Sequence, residues 1–141
     1  MPDDEDTRST TAVSAMRISL PQTAASPAEA RAQVKRFAAQ HDLLGQAGVA
    51  LLVLSELVTN AVLHGAEPIQ VCVTSDGTSL RIEVSDGDTH TGRIAPQPHR
   101  PSDQAGGRGL HIVNSLAREW GVTNDGTGKT VWAEVGLEAE L

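Results

Sequence analysis

The sequence predicts an α+β protein, a two-layer sandwich in which a mixed, mostly antiparallel sheet carries its helices on one face. Three observations lead there. Residues 69–84 hold two runs of apolar alternation separated by Ser75-Asp76-Gly77-Thr78, the pattern of an antiparallel hairpin. Residues 26–41 and 46–64 repeat their apolar side chains at helical spacing, as helices that cover a sheet must. A third helical period over 110–117 precedes a last alternating run, Lys129 to Gly136. A chain of 141 residues is expected to form one domain with a substantial core, and no second domain fits.

In chain order, residues 1–14 are polar and acidic and are expected to form a disordered tail, leaving 15–141 as the folded domain. Met16, Ile18 and Leu20 alternate with Arg17 and Ser19, a short strand ended by Pro21. Ser26, Pro27 and Glu29 then predict a helix start, with Ser26 as N-cap and Glu29 as its capping-box partner, and with Ala30, Val34, Phe37 and Ala38 facing inward. The next helix, from about Gln46 to His64, turns Leu51, Leu54, Leu57, Val58, Ala61 and Val62 inward and stops at Gly65, a natural C′ residue. After the hairpin, the strand ending at Asp86 leads into a long segment from Gly87 to Gly107 with no apolar period, the profile of a functional or disordered loop. Gly106, Gly107, Arg108 and Gly109 abut the start of the third helix, where free N–H groups favour an anion. Trp120 to Val122 predict a short strand, Asn124-Asp125-Gly126 a turn, and Val131, Ala133 and Val135 the inner face of the last strand.

Composition excludes several functions. The net charge of -7, of which the acidic tail carries -3, offers no footprint for a nucleic-acid backbone or an anionic membrane surface. Three aromatic residues, Phe37, Trp120 and Trp132, are too few for base stacking, and the two tryptophans are expected to pack. Cys72 stands alone, so there is no disulfide framework, and its strand position predicts a core or sheet residue. No apolar run approaches a membrane span and no secretory leader is visible, which predicts a cytoplasmic protein. His41, His90, His99 and His111 lack ligand-like spacing.

The second helix carries the chemistry. A helix advances about 100° per residue, so Glu56, Asn60 and His64, four apart, form one polar ridge. A carboxylate there can take a proton, an amide oxygen can ligate a hard cation such as Mg2+, and an imidazole can reach a phosphate. A solvated polar face would show the same three residues.

The order of the motifs is more specific than any one of them. Glu56-Leu57-Val58-Thr59-Asn60-Ala61-Val62-Leu63-His64, a strand ending Val84-Ser85-Asp86-Gly87, a long loop, Gly106-Gly107-Arg108-Gly109-Leu110-His111-Ile112-Val113 and a final strand opened by Gly128-Lys129-Thr130-Val131-Trp132 resemble the ATP-binding fold of the gyrase, histidine-kinase and MutL superfamily. Within it the chain looks like the single-domain anti-sigma-factor serine/threonine kinases of actinobacteria. The resemblance implies ATP and Mg2+ as cofactors, Asn60 as the Mg2+ ligand, Glu56 as the carboxylate that orients or deprotonates the attacking hydroxyl, and Asp86 as the acceptor of the adenine amino group. It implies nucleotide contacts from Gly106, Gly107, Arg108, Gly109, Leu110 and Thr130. His64 is a nucleotide contact or a helix-terminal residue favoured by the dipole.

Two departures stand out. The adenine box commonly reads Asp-x-Gly-x-Gly, whereas Asp86 is followed by Gly87-Asp88-Thr89-His90, so the lid glycines are missing. The last strand usually opens Gly-Thr, whereas Lys129 intervenes between Gly128 and Thr130, so the water network beside adenine is expected to differ. The resemblance implies a protein kinase that binds a sigma factor and an antagonist protein, and leaves a homodimer open. A nucleotide-dependent binding switch without phosphotransfer is the alternative. The catalytic domain of a two-component histidine kinase is a third reading, disfavoured by the lack of an upstream dimerisation helix with a phospho-acceptor His.

Overall fold

Strand β1 (Ser14–Leu20) opens the described part of the fold, and helix α1 (Ser26–Gln40) and a 3-10 turn (Leu44–Gln46) lead to helix α2 (Gly48–His64). The hairpin β2 (Ile69–Ser75) and β3 (Ser79–Asp86) follows, then helix α3 (Ala105–Leu116) and strands β4 (Glu119–Asn124) and β5 (Lys129–Gly136). The computed structural model describes residues 14–88 and 105–138. The tail expected over 1–14 lies outside the described residues except for Ser14, which begins β1, and most of the loop expected over 87–107 also lies outside them.

The five strands form one sheet in the order β1-β2-β3-β5-β4. Every hydrogen-bonded strand pair among the described residues is antiparallel, in keeping with the mostly antiparallel sheet expected from the sequence. Helices α1 and α2 lie between the antiparallel neighbours β1 and β2, whereas α3 joins β3 to β4, which flank β5 and so run in the same direction.

Period-2 alternation sends Ile69, Val71, Val73, Leu80, Ile82, Val84, Val131, Ala133 and Val135 to one face, where they are buried under the helices. On the opposite face the residues are half-buried or exposed apart from Ser79 at the start of β3, which is buried. There the Arg81 guanidinium lies 4.3 Å from the centre of the Trp132 indole and Arg81 Nε pairs with Glu83 at 3.0 Å. Cys72 sits on this face, half-buried, between the register partners Arg17 and Glu83. No helix among the described residues is long and apolar enough to cross a membrane.

Helix α2 is the middle of the helical layer, packed against α1, α3 and the central strands. Ala50, Val53, Leu54, Leu57, Val58 and Ala61 are buried, whereas Leu51 and Val62 are half-buried. The buried stripe is therefore shifted, with Ala50 and Val53 in place of Leu51 and Val62.

Both helix-end expectations change. Ser26 is not the N-cap of α1: Ala25 is, without a side-chain cap, and the buried Ser26 hydroxyl donates to the Pro21 carbonyl. Glu29 accepts from Gln33 Nε2 at 2.8 Å instead of closing a capping box. Gly65, with φ -98° and ψ -163°, is extended, so it does not end α2 through a left-handed turn. The last carbonyls of α2 are met by Gln22, whose Nε2 donates to Val62 at 3.1 Å and Gly65 at 2.8 Å.

Candidate functional site

Asn60 and Asp86 are the two buried polar side chains among the expected site residues whose side chains are described, at 3% and 5% exposure. They differ in how they are satisfied. The Asn60 amide has no side-chain hydrogen bond among the described residues. Leaving such a group buried and unmet costs about 1–3 kcal/mol, so an acceptor of this kind is a ligand position in waiting. An amide oxygen suits Mg2+, which takes few protein ligands and completes its shell from phosphate oxygens and water. The residue fits the metal that the resemblance implies.

Glu56, one turn earlier on α2, is half-buried, and His64, one turn later, is exposed in the last turn. The ridge thus runs from the interior of the helical layer to its surface, with Asn60 as its deepest point. Arg31 from α1 donates to Ser55 Oγ at 3.0 Å, which ties α1 to α2 beside Glu56.

Asp86 closes β3 on the helix-facing side, continuing the parity of Ile82 and Val84. Both oxygens of its carboxylate are engaged by the protein. Lys129 Nζ lies 2.8 Å from both Oδ1 and Oδ2, and the Asp88 N–H donates to Oδ1 at 2.8 Å. The Ala66 N–H makes a longer contact of 3.4 Å with Oδ1. Lys129 Nζ also stands 3.4 Å from Asp88 Oδ2. Lys129 is the Cα register partner of Asp86 across β3 and β5, and it is 2% exposed. Oδ1 is crowded and Oδ2 already accepts from an ammonium, so the carboxylate is a weaker acceptor for a base amine than an unpaired one, and the adenine end fits less well than the metal end.

Thr130 does not join this cluster. Strand parity turns it to the opposite face of the sheet, where its hydroxyl meets Ser85 Oγ at 2.9 Å. The residue inserted before it has taken the inward position. Leu110 is a core residue, 6% exposed, in company with Val113. Gly106, Gly107, Arg108 and Gly109 lie in the first turns of α3, which begins at Ala105. The side chain of Arg108 lies outside the described residues.

Lys129 is the site residue that the sequence reading missed. The signal was present in the alternation Lys129, Val131, Ala133, Val135, which places a charge at the first inward position of a buried strand.

Among known proteins, the histidine kinase-like ATPase domain family matches residues 20–135. No curated protein matches. Among solved structures, the RsbU and RsbW domains of Rv1364c from Mycobacterium tuberculosis superpose with a TM-score of 0.60 at 21% identity, over 90% of this chain and 33% of that one. The histidine kinase domain of the Erythrobacter litoralis EL346 blue-light activated histidine kinase gives a TM-score of 0.49 at 28% identity, over 67% of this chain and 46% of that one. The chain thus spans a third of the length of the first structure and under half of the second. With a family match from the end of β1 to the last residues of β5, on an antiparallel sheet layered with three helices, the chain belongs to the histidine kinase-like ATPase domain family.

Proposed function

We propose that this protein is an ATP- and Mg2+-dependent serine/threonine protein kinase of the anti-sigma-factor type, which regulates transcription by binding a sigma factor and an antagonist protein. The observation that carries the reading is the buried Asn60 amide, unpartnered among the described residues and one helical turn from the half-buried Glu56. Asn60 would hold Mg2+, which when bound neutralises phosphate charge. Glu56 takes the proton of the incoming serine hydroxyl as its oxygen bonds to the γ-phosphorus and the bond to the β-phosphate oxygen breaks, releasing ADP.

The test is Glu56→Gln. Nucleotide binding does not require the carboxylate, whereas transfer does, so ATP affinity should stay within about twofold while transfer to a serine of the antagonist falls about a hundredfold or more. Wild-type protein that transfers no label to its partner, while ATP still alters partner affinity, would leave the second reading, a nucleotide-dependent binding switch. The occupied Asp86 carboxylate favours that second reading, because it weakens an expected grip on the nucleotide.

A further inference from the structure

We propose that Lys129 occupies the base-reading carboxylate from within, so that the site holds a nucleotide by its phosphates and metal without selecting adenine. This rests on the nucleotide-binding reading above and concerns how the base end of that site is regulated. The ammonium has three protons, and three carboxylate oxygens stand around it: Asp86 Oδ1 and Oδ2 at 2.8 Å each and Asp88 Oδ2 at 3.4 Å. No donor is left to greet a base carbonyl, and the acceptor site that remains on Asp86 Oδ2 is weakened by the ammonium that oxygen already serves.

The pair is also held in place. Asp86 and Lys129 are register partners in the sheet, with side chains 2% and 0% exposed, so the contact follows from strand pairing and not from a mobile surface encounter. Gly65 runs beside the carboxylate, where an added Cβ would stand 2.5 Å from Oδ2. To take the bonds that Lys129 holds, an incoming amine would have to evict a charged donor, whose hydrogen bonds are about twice as strong as a neutral group's, and strand a buried ammonium. The eviction is unfavourable, so adenine gains little at this carboxylate while Lys129 is present.

The experiment compares ATP with inosine triphosphate, which carries a carbonyl in place of the 6-amino group, on the full chain at fixed Mg2+ by titration calorimetry. Wild-type protein should bind the two within about threefold of each other. Lys129→Thr should tighten ATP by about tenfold or more and favour it over inosine triphosphate by a similar factor, the usual worth of a hydrogen bond to a charged group. Lys129→Gln, which keeps a donor beside Asp86 should the threonine variant fail to fold, should gain a smaller preference in the same direction. Wild-type selection of ATP by tenfold or more overturns the proposal and leaves the nucleotide reading standing. So does a folded Lys129 variant without any gain for ATP, where the wild type binds nucleotide. Binding of neither nucleotide by any of the three proteins overturns the proposal and the nucleotide reading together.

Discussion

Gly65 and Asp86 approach so closely that a Cβ at Gly65 would stand 2.5 Å from Asp86 Oδ2 and 2.7 Å from the Ala61 carbonyl oxygen. The glycine that ends α2 is therefore required for room beside the carboxylate. Gly65→Ala should destabilise the fold by about 1–3 kcal/mol, the usual cost of overpacking a rigid site. Chemical denaturation would show the lowered midpoint with an unchanged slope. A loss below about 0.5 kcal/mol, the range of ordinary surface changes, would mean that the strand end yields freely.

Asn60 sets stability against function. Its buried amide has no side-chain partner among the described residues, so Asn60→Leu, of similar size, should raise stability by about 1 kcal/mol. The same change should abolish Mg2+-dependent nucleotide binding. Thermal melts with and without nucleotide and Mg2+ read both effects, since a ligand that binds only the native state raises the melting temperature. A drop in stability on removing the amide would show that Asn60 is structural.

The start of α2 is capped from the other end of the chain. Glu138 Oε2 accepts from the Val49 N–H at 2.6 Å, and the Glu138 N–H donates to the Gln46 carbonyl at 2.9 Å. A carboxylate at a helix N-terminus meets an orphan donor and the positive end of the dipole. Glu138→Ala should cost about 1 kcal/mol, and Glu138→Gln, which can still accept the bond, should cost less. Equal losses for both in denaturation would place the effect on charge alone.

Acid sensitivity should begin at the hairpin turn. The backbone N–H groups of Thr78 and Ser79, helped by the Thr78 hydroxyl, lower the Asp76 carboxyl from 3.8 to about 2. A folded-state value below the unfolded one means that this contribution is complete above about pH 4, fades as pH falls from 3.8 towards 2, and is gone below that. Asp76→Asn should make stability less dependent on pH in that window. An identical profile for the two proteins would rule out Asp76 as a source of the acid loss.

Local pattern made most of the fold legible. The alternation of Ile69, Val71 and Val73 and of Leu80, Ile82 and Val84 specifies two half-buried strands, and Asp76-Gly77 between them specifies the turn, where Gly77 adopts φ +90°. Side-chain periods are properties of neighbouring residues, so no distant contact is needed to read them. The same holds for the ridge of Glu56, Asn60 and His64, which helical geometry alone aligns.

Partnership between distant residues was not legible. Ser26 matched an N-cap pattern, but the Pro21 carbonyl claimed its hydroxyl, and the helix ends of α2 were met by Gln22 and Glu138, remote in sequence from the groups they satisfy. The sequence by itself determined the strands, the helices and the polar residues available at the site. Only the tertiary structure decided that Asn60 is buried without a side-chain partner among the described residues, while Asp86 is buried with Lys129 already upon it. Burial turns a polar group into an unmet demand, and which group answers it depends on the register of β3 against β5, a pairing made by strands far apart in the chain.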